Sequence, residues 1–334
     1  QTCPTSAISD VFQSKSVEAD KTVRTTCSYC GVGCNLEVAV KSDEVLSIRA
    51  PQDAVNAGHT CLKGRYAFKF YNHEDRLKSP LIRKNGELVP CSWDEALDFI
   101  KDKFESIKAN DGSDAIAGIS SARCTNEENY MFQKMIRQLV GTNNIDCCAR
   151  VCHSPTAWGM QQSFGTGAGT NSTADIPLAD LLLVIGANPT SAHPVTGAKI
   201  KQQAMSGATL VVIDPVRTEL ARMADHHLQL KPGTNVAVLN MMQYYIVEAG
   251  LVDHQFIKDR CEGGEEFLEQ IKKLDVDAMA EISGLDKEDV KAVALAYGNA
   301  KNAMEFHGLG VTEHSQGTKT VMLISNLAMM TGNL

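Results

Sequence analysis

Hydrophobic and polar positions change rhythm along the chain. Between Thr25 and about Pro80 the apolar residues alternate in short runs, NLEVAV and VLSIRA, a period of two that predicts strands in a small β unit. From Ser92 the spacing lengthens. Ser92 and Glu95 form a capping-box pair, and Trp93, Ala96, Leu97, Ile100, Phe104 and Ile107 recur on one helical face, which predicts a helix packed against a neighbour. Beyond it strand-like and helix-like segments take turns: AIAGIS, the helix NYMFQKMIRQLV stopped at Gly141, LLLVIG, a helix around AKIKQQAM, and TLVVID. Such alternation predicts parallel strands joined by crossover helices. The texture continues through VAVLNMMQYYIVEA, DVKAVALAY, the strand AMEFHG and the helix TVMLISNLAMM. The expected fold class is α/β, a small β unit followed by parallel-sheet, dinucleotide-binding-like domains. Expected bounds are 1–23 for a tail and linker, 24–82 for the β unit, 83–147 for the first part of a discontinuous α/β domain, and 148–334 for the α/β body.

Composition narrows the classes. A chain of 334 residues has room for about two or three packed units. A net charge of -8 argues against nucleic acid as a partner, and no apolar run is long enough to span a bilayer. Eleven cysteines, odd in number and clustered, point to metal rather than to a disulfide framework. The sequence opens on Gln1 rather than Met, so a preceding segment is expected, and the expected location is cytoplasmic. Cys3-Pro4 has the form of the last ligand of a ferredoxin run, or of a solitary cysteine in a turn.

Cys27, Cys30, Cys34 and Cys61 are spaced C-x2-C-x3-C-x26-C. Three thiols from one tight loop and one from a distant loop suit a [4Fe–4S] cube better than structural zinc, whose sites usually pair two short knuckles. Lys63 follows two residues after Cys61, either a solvated charge or part of an electron-transfer path. LLLVIGANP and TLVVIDP each end a predicted strand where parallel sheets bind ligands, and Asp214 is placed to accept from a ribose or guanine or to cap the next helix. The unit lacks G-x-G-x-x-G, so an ordinary NAD site is unsupported. KPGTN and FHGLG add glycine turns that could converge on one phosphate-bearing ligand. In CARVCHSP, Cys152 directly precedes His153; without a family pattern Cys152 reads as a core thiol.

Taken together, CSYCGVGC with Cys61 to Arg65, SSARCTNEENY, GTNNIDCCARVCHSP, GANPTSAHP, VVIDPVRTE, LKPGTN and MTGNL closely resemble the molybdenum- or tungsten-dependent formate dehydrogenases of the dimethyl sulfoxide reductase superfamily. The resemblance runs from about Thr25 to Leu334. It implies a [4Fe–4S] cluster on Cys27, Cys30, Cys34 and Cys61, and a Mo- or W-bis(molybdopterin guanine dinucleotide) whose metal is held by Cys152, at a place that carries Cys or selenocysteine in the family. It makes His153 a proton-handling neighbour and puts Lys63 between cluster and pterin. Gly186, Asn188, His193, Asp214, Gly233, Asn235 and Gly308 fall in stretches resembling the guanine-dinucleotide loops, and Arg123 in a loop near the metal. Cys91, Cys124, Cys147, Cys148 and Cys261 match no ligand position and read as small buried hydrophobes.

The implied reaction is two-electron oxidation of formate to carbon dioxide and its reverse, with iron–sulfur, flavin/NAD or hydrogenase-type subunits as electron partners. The alternatives are a nitrate reductase of the same superfamily and a non-catalytic relay subunit like the large iron–sulfur subunit of complex I. The family's catalytic arginine, second half of domain two and C-terminal barrel have no counterpart here, so the sequence is expected to be a fragment with an exposed apolar surface around VMLISNLAMM.

Overall fold

A computed structural model describes residues 18–334. Cys3 and Pro4 lie outside the described residues. The chain forms two compact units, one joining the segment up to Cys61 with Val151–Leu334, the other Leu62–Arg150.

The first unit begins with a three-stranded antiparallel sheet, β1 Lys21–Thr26, β2 Asn35–Lys41 and β3 Glu44–Arg49. The β2–β3 turn is only Ser42-Asp43, at φ 50° and 62°, the left-handed pair that matches strand twist in a two-residue hairpin. The backbone amide of Ser42 donates to the carboxylate of Asp20 at 2.9 Å and holds that turn against the start of the sheet.

In the second unit, β4 Leu81–Lys84 and β5 Glu87–Pro90 form a hairpin about Asn85-Gly86, and β6 Gly118–Ser120 runs parallel to β7 Ile145–Cys147. Ser92 caps the helix Trp93–Asp111 by accepting from the Glu95 amide at 3.1 Å. The Glu95 carboxylate meets Lys84 at 2.7 Å. The apolar stripe of that helix is only half covered. Phe104 and Ile107 pack on Ile116, Ile136 and Val140, whereas Trp93, 70% exposed, and its neighbours Leu97 and Ile100 face outward. The expected packing is met by the second half of the stripe.

The body of the first unit is a four-stranded parallel sheet: β8 Leu181–Ile185, β9 Thr209–Ile213, β10 His226–Leu228 and β11 Ala303–His307, in the order β10-β9-β8-β11. From Leu181 to Ile185 and from Leu210 to Ile213 every residue is buried, as the unbroken apolar runs require of strands covered on both faces. Leu181, Leu183, Ile185, Val211 and Ile213 face helices Asn235–Glu248, Lys287–Asn299 and Gly317–Thr331, while Leu182, Val184, Leu210 and Val212 face Ile200 of helix Pro194–Met205. Because β9 and β11 flank β8 on opposite sides, the chain reverses direction across the sheet at β8, and a crevice opens at the strand carboxyl ends.

The helix carrying VMLISNLAMM is buried, against the expectation of an exposed face. Val321 and Met330 are 1% exposed, and Gln243 of helix Asn235–Glu248 donates to the Leu323 carbonyl at 2.8 Å. A helix apolar on nearly all sides belongs inside. Among the described residues no helix is long and apolar enough to cross a membrane.

One ionisable pair lies in this core. Tyr297 donates to Glu305 on β11, and burial pushes the Glu305 carboxyl up to about 7 from 4.5. The folded chain therefore holds this proton more tightly than the unfolded chain. The stability involved is complete below about pH 4.5 and is lost as the pH rises through about 7, on the order of 3 kcal/mol. Glu305→Gln keeps the acceptor for Tyr297 and cannot ionise, so its thermal midpoint should exceed that of the parent at pH 8 and match it more closely at pH 5. Parallel pH dependence in the two proteins would show that Glu305 is already ionised in the fold.

Candidate functional site

The four cysteines are gathered by backbone contacts. The Cys27 amide donates to the Cys34 carbonyl at 2.8 Å, closing the loop between β1 and β2, and Gly33 turns at φ 65°. Cys61 arrives on a separate loop held by Asn56, which is wholly buried. Its side chain accepts from the Asn35 amide at 2.9 Å and donates to the carbonyls of Asn35 at 3.2 Å and His59 at 2.7 Å. That clamp ties the Cys61 loop to the start of β2, beside Cys34. Sequence reasoning missed Asn56, whose only signal is a polar residue five places before a cysteine.

Cys34 is 7% exposed, and its thiol is pushed up to about 11 by burial and then by Cys27, Cys30 and Cys61. All four are free of disulfides. Thiols that oppose one another's ionisation fit a cationic core that accepts several thiolates at once.

A second group stands at the start of helix Ser154–Phe164. Cys152, the last residue of helix Ala149–Cys152, is half-buried, and His153 occupies the cap position of helix Ser154–Phe164. His153 Nδ1 lies 3.4 Å from Thr156 Oγ1, which in turn meets His307 Nε2 at 2.9 Å. Burial, with a contribution from His153, pushes the His307 pKa down to about 4, so the ring is neutral at physiological pH. Desolvation and His153 also lower His193. The His193 ring reaches the cysteine loop: a Cβ on Gly31 would stand 3.8 Å from its Nε2. His193 thus lies beside the loop of Cys30 and Cys34.

The third group is the crevice. Gly186, Asn188, Asp214, Gly233 and Asn235 line one pocket of about 270 Å³, together with Gly310 and His314, which sequence reasoning did not single out. Asp214 Oδ1 accepts from the Val216 amide at 2.8 Å, and Asn235 donates to the Gly310 carbonyl at 3.1 Å. Gly308 is absent from the lining and acts in the loop crossing. A Cβ there would stand 2.9 Å from the Gly186 oxygen, and one on Gly186, at φ 55°, would stand 2.6 Å from the Gly310 carbonyl carbon. Three glycines let two backbones touch.

Lys63, exposed on the helix Leu62–Tyr66, and Arg123, whose amide donates to Ser121 Oγ at 3.1 Å, belong to the second unit. The five cysteines read as buried hydrophobes are not buried. Cys124 and Cys148 are exposed and Cys91, Cys147 and Cys261 are partly so, because Cys124 and Cys148 stand on surface loops at the ends of β6 and β7, with Cys148 Sγ accepting from the Ala122 amide at 3.3 Å.

The sequence matches the molybdopterin oxidoreductase family over residues 76–334 and the molybdopterin oxidoreductase Fe4S4 domain over residues 20–73. The chain belongs to the molybdopterin oxidoreductase family. Its cofactors are a [4Fe–4S] cluster and a molybdenum- or tungsten-bearing molybdopterin. It is 42% identical over 315 residues to F420-dependent formate dehydrogenase 2 subunit alpha of Methanococcus maripaludis, a match covering 94% of this chain and 46% of that protein. It is 40% identical to formate dehydrogenase H of Escherichia coli, over 94% of this chain and 45% of that one. The chain thus spans about half the length of these relatives. Among solved structures, acetylene hydratase from Pelobacter acetylenicus superposes with a TM-score of 0.79 at 25% identity, covering 94% of this chain and 44% of that one.

The loop crossing of this oxidoreductase is open to a direct test. Gly186→Ala should lower stability by on the order of 3 kcal/mol, since the new methyl meets backbone. Gly207→Ala, at φ 110° with nothing within 4 Å, should cost only backbone strain, on the order of 1 kcal/mol. Equal losses in urea titrations would mean that the two loops do not touch.

Proposed function

We propose that this chain is part of the catalytic subunit of a formate dehydrogenase, which oxidises formate to carbon dioxide, one proton and two electrons and also runs the reverse. The observation that carries the reading is the Cys152-His153 pair ahead of helix Ser154–Phe164, in the same compact unit as both the four cysteines and the crevice, with His193 beside the loop of Cys30 and Cys34. Similarity to formate dehydrogenase subunits supports the choice of substrate.

In this reading Cys27, Cys30, Cys34 and Cys61 hold the cluster, Cys152 offers its thiolate to the metal, and Gly186, Asn188, Asp214, Gly233 and Asn235 receive a guanine dinucleotide in the crevice, with His193 and Gly308 completing those loops. When bound, the metal–pterin centre supplies the two-electron oxidation and the cluster supplies the way out for electrons. The chain's own part is placement and proton handling. His153 takes up the proton that formate releases, Arg123 and Lys63 add positive charge on the pterin side, and Lys63 favours electron transfer. Electrons pass on to iron–sulfur, flavin/NAD or hydrogenase-type subunits. The ten cysteines among the described residues form no disulfide, which suits a reducing compartment, in keeping with a cytoplasmic location.

In the full-length enzyme Cys152→Ser replaces a readily ionised soft ligand with a hydroxyl, so formate-dependent dye reduction should fall to near background while the cluster signal in electron paramagnetic resonance persists. Cys61→Ala should abolish that signal. Full activity in the first variant, with unaltered metal spectra, would refute the assignment of Cys152. Lys63→Met should slow turnover far more than it alters KM for formate; unchanged turnover would return Lys63 to the solvated surface.

A further inference from the structure

We propose that Thr156 and His307 are positioning residues for His153, the Thr156 hydroxyl joining the two imidazoles into one hydrogen-bonded chain. This rests on the reading of Cys152 and His153 given above. Thr156 Oγ1 lies 2.9 Å from His307 Nε2 and 3.4 Å from His153 Nδ1. A hydroxyl carries one proton, so it donates to one ring and accepts from the other.

The contact fixes the His153 ring whichever way the protons run. Either imidazole can donate to the hydroxyl or accept from it, and in both cases the ring of His153 is held through Nδ1. The buried, neutral ring of His307 offers the far end of the chain one bare nitrogen and one N–H. Removing the hydroxyl therefore removes the hold on His153, and removing His307 removes the hold on the hydroxyl.

Both anchors are rigid. His307 ends β11 in register with Ile185, the last residue of the buried β8. Thr156 stands in the first turn of helix Ser154–Phe164, which is locked to helix Gly317–Thr331 by Gly159, where a Cβ would meet Val321 Cβ at 2.9 Å. The partners are 151 residues apart in sequence, so the contact reports tertiary placement rather than local turn chemistry.

The test uses the full-length holoenzyme with Thr156→Val, Thr156→Ser, His307→Leu and the double variant Thr156→Val/His307→Leu. Thr156→Val and His307→Leu should each lower kcat by about 10- to 100-fold, the usual cost of losing an outer hydrogen-bond partner, with KM for formate changed by less than about twofold. Thr156→Ser should restore the rate. The double variant should be no slower than the slower single variant, since a broken chain cannot be broken twice. Crystal structures supply a readout independent of turnover: with metal content and cluster signal unchanged, the His153 ring in Thr156→Val should be turned or split between orientations. Losses that multiply in the double variant, or a His153 ring that stays in place, would overturn the proposal. Should the parent enzyme fail to oxidise formate, the ring orientation still decides, so a turned ring upholds the chain while the formate reading falls.

Discussion

The loop after β8 and the loop after β11 touch backbone to backbone, and the rest of the site depends on that contact. The Gly310 amide donates to the Gly186 carbonyl at 2.9 Å, and Asn235 holds the Gly310 carbonyl from the other side. No side chain separates the loops, so β11 lies tightly beside β8 and the crevice opens at the strand ends, where peptide groups are free to face a ligand. The same closeness brings His307, the last residue of β11, within reach of the helix that follows Cys152 and His153. One steric constraint thus shapes the crevice pocket and the surroundings of the Cys-His pair together.

Much of this was legible in the sequence, for identifiable reasons. LLLVI and TLVVI announce strands buried on both faces because they contain no polar break, and the glycine and aspartate that end them mark the ligand edge. Cysteine spacing announced a four-thiol loop, because a compact inorganic core constrains sequence distance. The contribution of Gly308 was legible only in part. A glycine turn is visible in FHGLG, but whether it lines a pocket or permits two backbones to cross depends on a partner more than a hundred residues away.

Other features were illegible because they are tertiary. Periodicity locates the helix Trp93–Asp111 but cannot say how much of its apolar stripe finds a neighbour. The helix with VMLISNLAMM was misread although its own pattern, apolar nearly all round, was the signal of a buried element. Cysteines without a ligand role were assigned to the interior from the habits of the residue type, whereas loop geometry puts Cys124 and Cys148 at the surface. The fold itself does not choose the substrate, since a hydratase shares the architecture.

The Asn56 clamp has a consequence for timing. Many small metal domains are unfolded until their ion arrives, because nothing else holds the ligands together. Here the loop bearing Cys61 is docked by three hydrogen bonds from a buried amide, and the other three cysteines ride on a closed hairpin. Part of the ligand geometry is therefore set by hydrogen bonds made without iron. Whatever order those bonds impose on the Cys61 loop lowers the conformational entropy that cluster assembly has to remove.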